Sequence, residues 1–183
     1  MTQFQFANSD DPVPGNGNPP AEFTIKAKPG RDLCAPILYK PVALSAFKRA
    51  RVAFNAQWTH RYDQGGLLFV LNYRDGSRKW LKAGIELTHG KPHLSAVTKD
   101  RYADWSLLPV PSGGNAATLE MVREADNSLW VYLVEGVSKS PIREVTWVFE
   151  EKEVTECWVG VFAARPGNEG GELEVNFGHL IVE

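Results

Sequence analysis

Cysteine is scarce: Cys34 and Cys157 are the only two in 183 residues, far apart and without the close spacing of metal-ligand pairs. Cys157 alternates with Val159 and Val161, so it reads as a small buried hydrophobe on a strand. Histidine is sparse too. Of His60, His89, His93 and His179, only His89 and His93 lie four apart, and a turn between them keeps them off a common helix face. No metal and no cofactor is expected. Basic residues do not outnumber acidic ones (Lys+Arg 20, Asp+Glu 22, net charge −2), so the field that would draw nucleic acid is missing. No apolar run approaches the ~18 residues of a membrane span. The opening "MTQFQFANSDDPVPGNGNPP" lacks the basic and apolar regions of a signal peptide. The expectation is a reduced, cytoplasmic protein with neither nucleic acid nor membrane as partner.

Helical periodicity is also lacking: no segment longer than about two turns repeats its apolar residues every 3.6 positions. Alternation takes its place. In "RARVAFNAQWT" (49–59), Ala50, Val52, Phe54, Ala56 and Trp58 share one face, against Arg49, Arg51, Asn55, Gln57 and Thr59 on the other. "EFTIKAK" (22–28) repeats the pattern with Phe23, Ile25 and Ala27. "GLLFVLNY" (66–73) is apolar on both faces, which predicts a central strand covered twice. Further strand patterns follow to the end of the chain. The turn signals "RDGS" (74–77), "HG" (89–90), "PSGGN" (111–115), "DN" (126–127) and "PGNEGG" (166–171) separate them. Many short strands with regular turns predict an all-β sandwich or barrel. One domain over residues 1–183 is expected, with 8–20 loop-like or poorly ordered. The "RDGS" hairpin leaves its register open by one residue, and that shift would move the neighbours of Lys82 to the other face.

The segments "YDQGGLLF" (62–69), "WLKAGIE" (80–86), "PHLSAVTKDRYADWS" (92–106), "WVGVFAARPG" (158–167) and "VNF" (175–177) occur in an order that resembles the uncharacterised "regulation of enolase" family. That resemblance implies a concanavalin A-like lectin/glucanase fold, a jelly-roll sandwich of two curved antiparallel sheets. It also implies a concave cleft of the kind such proteins use for sugars. The family's name suggests a protein partner, a glycolytic enzyme. No established catalytic residues come with it.

In "KWLKAGIELTHGKPHLSAV" (79–97), Leu81, Ala83, Ile85 and Leu87 would point between the sheets, leaving Trp80, Lys82, Gly84 and Glu86 in the cleft. With His89-Gly90 as a two-residue loop, Glu86 pairs His93, Gly84 pairs Ser95 and Lys82 pairs Val97. Directly opposed residues have Cβ atoms about 4.5–5.5 Å apart. Glu86 and His93 are thus the candidate acid/base pair, with Trp80 and Trp105 as stacking platforms. Lys82 and Glu86 lie roughly 13 Å apart along the strand and cannot pair with each other. Gly84 would let a ligand approach the backbone. Asp63 is expected to cap its turn, and Gln64 is kept as a ligand contact. Arg123, placed opposite Trp130 by a hairpin at Asp126-Asn127, completes the binding candidates through a cation–π pair.

Glucanases of this fold use two carboxylates about 5 Å apart when they retain configuration. The pairs Glu151/Glu153 and Glu172/Glu174 fall in a turn and on a solvent face respectively. Three functions remain open. The first is a binding protein holding a saccharide or other small polar molecule in the cleft. The second is an enzyme using the same cleft, either glycan-active or an isomerase or cyclase on a small metabolite. The third is a cytosolic regulator of a glycolytic enzyme.

Overall fold

Alternation becomes burial along residues 49–56, where Ala50, Val52, Phe54 and Ala56 are enclosed and the intervening side chains are not. The structure, a computed structural model, describes residues 2–32 and 34–183. The strands in chain order are β1 (Gln5–Ala7), β2 (Glu22–Ala27), β3 (Ile37–Val42), β4 (Arg49–Ala56) and β5 (Gln64–Tyr73). Next come β6 (Arg78–Thr88), β7 (Lys91–Lys99), β8 (Ala103–Pro109) and β9 (Ala116–Arg123). The last are β10 (Leu129–Glu135), β11 (Ser138–Val145), β12 (Val154–Ala164) and β13 (Leu173–Val182). A seven-stranded sheet, β1-β3-β12-β5-β6-β7-β8, packs on a six-stranded one, β11-β10-β9-β4-β13-β2. The pairs within both are antiparallel. This is the expected all-β jelly-roll sandwich. Among the described residues no helix is long and apolar enough to cross a membrane.

The core lies between the sheets. Phe69, Leu81 and Ile85 of one meet Phe54, Leu119 and Met121 of the other, all in one apolar cluster. Phe47 meets Phe69 edge-on, with ring centres 4.8 Å apart, an arrangement that aligns the ring edge with the π face. Cys157 is fully buried on β12, and burial pushes its thiol up to about 12.

Strand β5 is central and apolar on both faces, but among the described residues no third layer covers its second face. Leu68 and Val70 join Ala35, Phe162 and Ala164 in a smaller cluster against Trp80 and Trp158. They form the floor of a cleft.

Three hairpins set the registers. At "THGK", His89 (φ 51°) and Gly90 (φ 75°) make the two-residue loop, and Glu86 lies opposite His93 as expected. At "RDGS" the loop has three residues, 74–76, closed by two backbone bonds: Tyr73 N donates to Ser77 O at 3.1 Å and Gly76 N to Tyr73 O at 3.0 Å. Gly76 takes φ 82°, which a side chain resists. This fixes Lys82 opposite Leu68 and Gln64 opposite Glu86.

The third hairpin overturns an expectation. Its loop is residues 125–127 rather than Asp126-Asn127 alone, since Glu124 N donates to Ser128 O and Asn127 N to Glu124 O, both at 3.0 Å. The extra residue places Arg123 opposite Leu129 and Trp130 opposite Val122. The Arg123 guanidinium instead stands 4.5 Å from the centre of the Phe149 ring and donates to Asn127 Oδ1 at 2.6 Å. Arg123 belongs to the six-stranded sheet and does not line the cleft. Asn127 holds φ 68°. Asn127→Ala is therefore expected to cost about 1 kcal/mol more in urea unfolding than Asn127→Gly, since both lose the side-chain bonds to Arg123 and Glu150 and only alanine resists the positive φ.

Candidate functional site

Because the odd-numbered residues of β6 face the core, Arg78, Trp80, Lys82, Gly84 and Glu86 stand on the outer face of the seven-stranded sheet. There a cleft of about 740 Å³ opens, floored by Leu68, Val70, Val97 and Phe162. Trp80, Trp105, Tyr62 and Trp158 wall it with aromatic rings. Its polar lining includes Gln64, Lys82, Glu86, Asp32, Arg78 and Lys99.

Lys82 sits mid-cleft with its side chain only 19% exposed. Its ammonium donates to Gln64 Oε1 at 2.6 Å and lies 5.8 Å from the ring centres of both Trp80 and Phe162. Asp32 Oδ1 is 4.0 Å away. Burial pushes the amine below its ordinary range, against the opposing pull of Asp32 and Glu86.

Glu86 is 5% exposed. Its Oε2 accepts the Ser95 hydroxyl at 3.1 Å, and Ser95 Oγ in turn accepts Trp105 Nε1–H at 3.0 Å. Burial raises the Glu86 carboxyl above the usual carboxylate range, more than Lys82 and the Ser95 bond lower it.

The loop before β5 is fastened from below. Buried Asp63 accepts the amides of Thr59 (3.0 Å) and His60 (2.9 Å). It also accepts Arg165 Nε at 2.8 Å and Nη2 at 2.7 Å in a bidentate ion pair. The turn-capping expectation for Asp63 holds, and the pair with Arg165 adds to it. Next in chain, Gln64 is oriented at both ends of its amide: Nε2 donates to Tyr62 O at 3.2 Å and Oε1 receives Lys82.

Of the residues singled out from sequence, Gln64, Trp80, Lys82, Glu86 and Trp105 line the cleft together. His93 does not. It sits opposite Glu86 in register, but its Nδ1 is 2.9 Å from Lys91 O, and the bond to the carboxylate comes from Ser95. The Glu86–His93 acid/base pair is therefore not formed. Ser95 lies opposite Gly84, so Glu86 reaches it diagonally along the strands. Gly84 itself is required by its neighbour strand rather than by a ligand: a Cβ there would strike the Gly65 carbonyl oxygen. Sequence reasoning missed Ser95, although the register alone placed it beside Glu86. It also missed Asp32, Arg78, Lys99 and Trp158. Among the described residues no group of three or more His, Cys, Asp or Glu is arranged to hold a metal ion.

Residues 24–183 match the family described as "Protein of unknown function (DUF1349)". The chain belongs to the DUF1349 family. An uncharacterised protein of Emericella nidulans is 60% identical to this DUF1349 protein over 193 residues, covering 100% of this chain and 96% of that one. Regulation of enolase protein 1 of Saccharomyces cerevisiae is 40% identical over 72 residues, 39% of this chain and 33% of that protein. The resemblance carried by "WLKAGIE" and its companion segments is thereby borne out. Among solved structures, a functionally unknown protein from Saccharomyces cerevisiae superposes on the DUF1349 chain with a TM-score of 0.78 at 21% identity, covering 99% of this chain and 96% of that one. The GH43 BlXynB protein of Bacillus licheniformis gives 0.66 at 14% identity, covering 97% of this chain and 39% of that one. At such identities the likeness is one of fold.

Proposed function

We propose that this protein binds a saccharide or another small polar molecule in the cleft of its seven-stranded sheet. The observation that carries the reading is a pair of largely buried ionisable groups, Lys82 and Glu86, held apart and each hydrogen-bonded to a neutral side chain. A sheet face shaped for stability alone avoids such burial or pairs the charges directly, because an incompletely compensated ion loses hydration. Here both groups open onto a recess walled by Trp80 and Trp105, whose rings offer stacking surfaces. Similarity of fold to a GH43 protein supports a saccharide as the ligand class.

A thermal-shift screen with mono- and oligosaccharides and sugar phosphates tests this. A ligand at a hundred times its Kd adds about 2.7 kcal/mol, or roughly 5–10 °C for a chain of this size. The shift is expected to saturate and to vanish in Glu86→Gln and Trp105→Ala. If no compound moves the melting temperature, the cleft reading is lost. Without ligand, Glu86→Gln is expected to melt at or above the parent near neutral pH. The sign follows from the raised folded pKa: as pH climbs through the ordinary carboxylate range, the unfolded chain ionises more readily, and the parent loses stability that glutamine keeps.

One observation favours a second reading, proton transfer, since a carboxyl raised by burial can serve as a general acid. The cleft supplies Lys82 beside it but neither His93 nor an E-x-E pair. In that case Glu86→Gln would abolish turnover while leaving ligand affinity largely intact. A glycolytic-enzyme partner is supported by the name of the yeast relative.

A further inference from the structure

The cleft carries a charge opposite to that of the chain around it. The protein is net −2, yet Arg78, Lys82 and Lys99 line the cleft against the two carboxylates of Asp32 and Glu86. Of those carboxylates, Asp32 is 56% exposed and screened by water, and Glu86 is buried, with its carboxyl raised above the usual carboxylate range.

The partners of the three cations matter more than their number. Arg78 rests its guanidinium 4.5 Å from the centre of the Trp158 ring, which stacks on Tyr39 with centres 4.3 Å apart. Stacking fixes the plane of a guanidinium while leaving its N–H edge available for a carboxylate or phosphate. Lys99, opposite Trp80 on the next strand, donates to the Arg78 carbonyl oxygen at 3.0 Å. Among the described residues neither Arg78 nor Lys99 forms an ion pair with a carboxylate. On an open surface that would mean little. Lys82 is the telling case. It is largely buried, it has three donors, and its one hydrogen bond goes to a neutral amide. By contrast, Lys79, also partly buried, reaches Asp100 at 2.6 Å and Glu151 besides.

We propose that the ligand of this cleft is acidic: a sugar bearing a carboxylate or phosphate whose anionic group pairs with Lys82, with Arg78 and Lys99 as a second cationic station at the far end. This rests on the cleft being a ligand site. The sugar ring would lie against Trp80, whose centre is 5.8 Å from the ammonium. Two unused ammonium donors would then receive charge-assisted bonds, and the desolvated cation would gain a hydrogen-bonded counter-ion closer than Asp32, which is half-exposed and 4.0 Å away.

The test is calorimetric titration of the full chain with glucose, glucuronate and glucose 6-phosphate, which differ only at C6, and with the trisaccharides of galactose and of galacturonate. Lys82→Met and Arg78→Gln would be run beside the parent, with melting temperatures to verify that both fold. The acidic ligand is expected to bind about ten- to a hundredfold more tightly than its neutral counterpart. That preference should vanish in Lys82→Met, weaken in Arg78→Gln and shrink as salt is raised. Glucuronate or galacturonate binding without glucose 6-phosphate identifies a carboxylate, and the converse a phosphate. Neutral sugars that bind as tightly as acidic ones, with binding lost in Trp105→Ala, would sink the acidic assignment and leave the cleft reading standing. A preference undiminished in Lys82→Met overturns the assignment of the anion to that lysine. If no sugar of either kind binds, the cleft reading fails and this inference with it.

Discussion

Asp63→Ala is expected to cost the fold about 3–5 kcal/mol, the range found when one partner of a buried ion pair is removed. For a chain of this length that is roughly 6–20 °C in melting temperature. Asp63 is fully buried, and its carboxylate accepts four hydrogen bonds, two from the backbone of the loop and two from Arg165. Arg165 is itself 4% exposed and also donates to Gly171 O at 2.7 Å and Thr59 Oγ1 at 3.0 Å. Removal of the carboxylate therefore strands a guanidinium and two amides together. Asp63→Asn keeps the volume and one acceptor and should lose less.

The same pair sets a pH dependence. Burial alone would raise the Asp63 carboxyl, but the bonds from Arg165 and from the His60 and Thr59 amides outweigh it and hold the group below the ordinary carboxylate range. The contribution is thus complete above the unfolded value near 4 and disappears as pH falls through the lower folded value. Urea unfolding of the parent and of Asp63→Asn at pH 7 and again under strongly acid conditions measures this directly. The gap between the two proteins should narrow on acidification, and a gap that stays constant would contradict the assignment. Since Gln64 follows Asp63 and bonds Lys82, any ligand affinity of the cleft should fall in the same variants.

Nothing in the sequence joins Asp63 to Arg165, because 102 positions separate them and neither breaks a local pattern. What the sequence does reveal is local and periodic. Period-two alternation placed Trp80, Lys82 and Glu86 on one face, and a two-residue loop at His89-Gly90 fixed their partners on β7. The loops at "RDGS" and "DN" were harder, since closure by two or by three residues depends on one turn hydrogen bond that composition does not decide. That single residue moved Arg123 away from Trp130. An apolar run such as "GLLFVLNY" likewise reads the same whether its second face lies under another layer or floors a cleft. Register was also insufficient to find Glu86's partner. Two side chains can face each other across strands and still bond elsewhere, as Glu86 does with Ser95 and His93 with Lys91. Arg78 lay within a recognisable strand, but its setting depends on Trp158 from a strand about eighty residues further along.

Gly84→Ala should reduce stability by about 3 kcal/mol, or roughly 6–12 °C, although alanine at a strand position is ordinarily no worse than glycine. Gly84 sits opposite Gly66, where β5 and β6 approach so closely that a Cβ on Gly84 would meet the Gly65 carbonyl oxygen and the Gly66 Cα. A Cβ on Gly66, at φ 156°, would in turn run into the Ala83 carbonyl oxygen. These obstacles are backbone atoms, so no rotamer change can relieve them. The two strands would have to separate at the middle of the seven-stranded sheet, between the pairs Gln64–Glu86 and Leu68–Lys82. The disturbance would reach the Lys82–Gln64 bond on one side and the Glu86–Ser95 bond on the other. Gly76 provides the contrast: its turn has open space around the missing side chain, so Gly76→Ala should cost only about 1 kcal/mol through its positive φ. Guanidinium unfolding of both variants separates the two roles a glycine could have at position 84. If it were kept to admit a ligand to the backbone, Gly84→Ala would melt like the parent and lose only affinity. If it is kept to let two strands meet, stability falls first, and the cleft loses its geometry as a consequence.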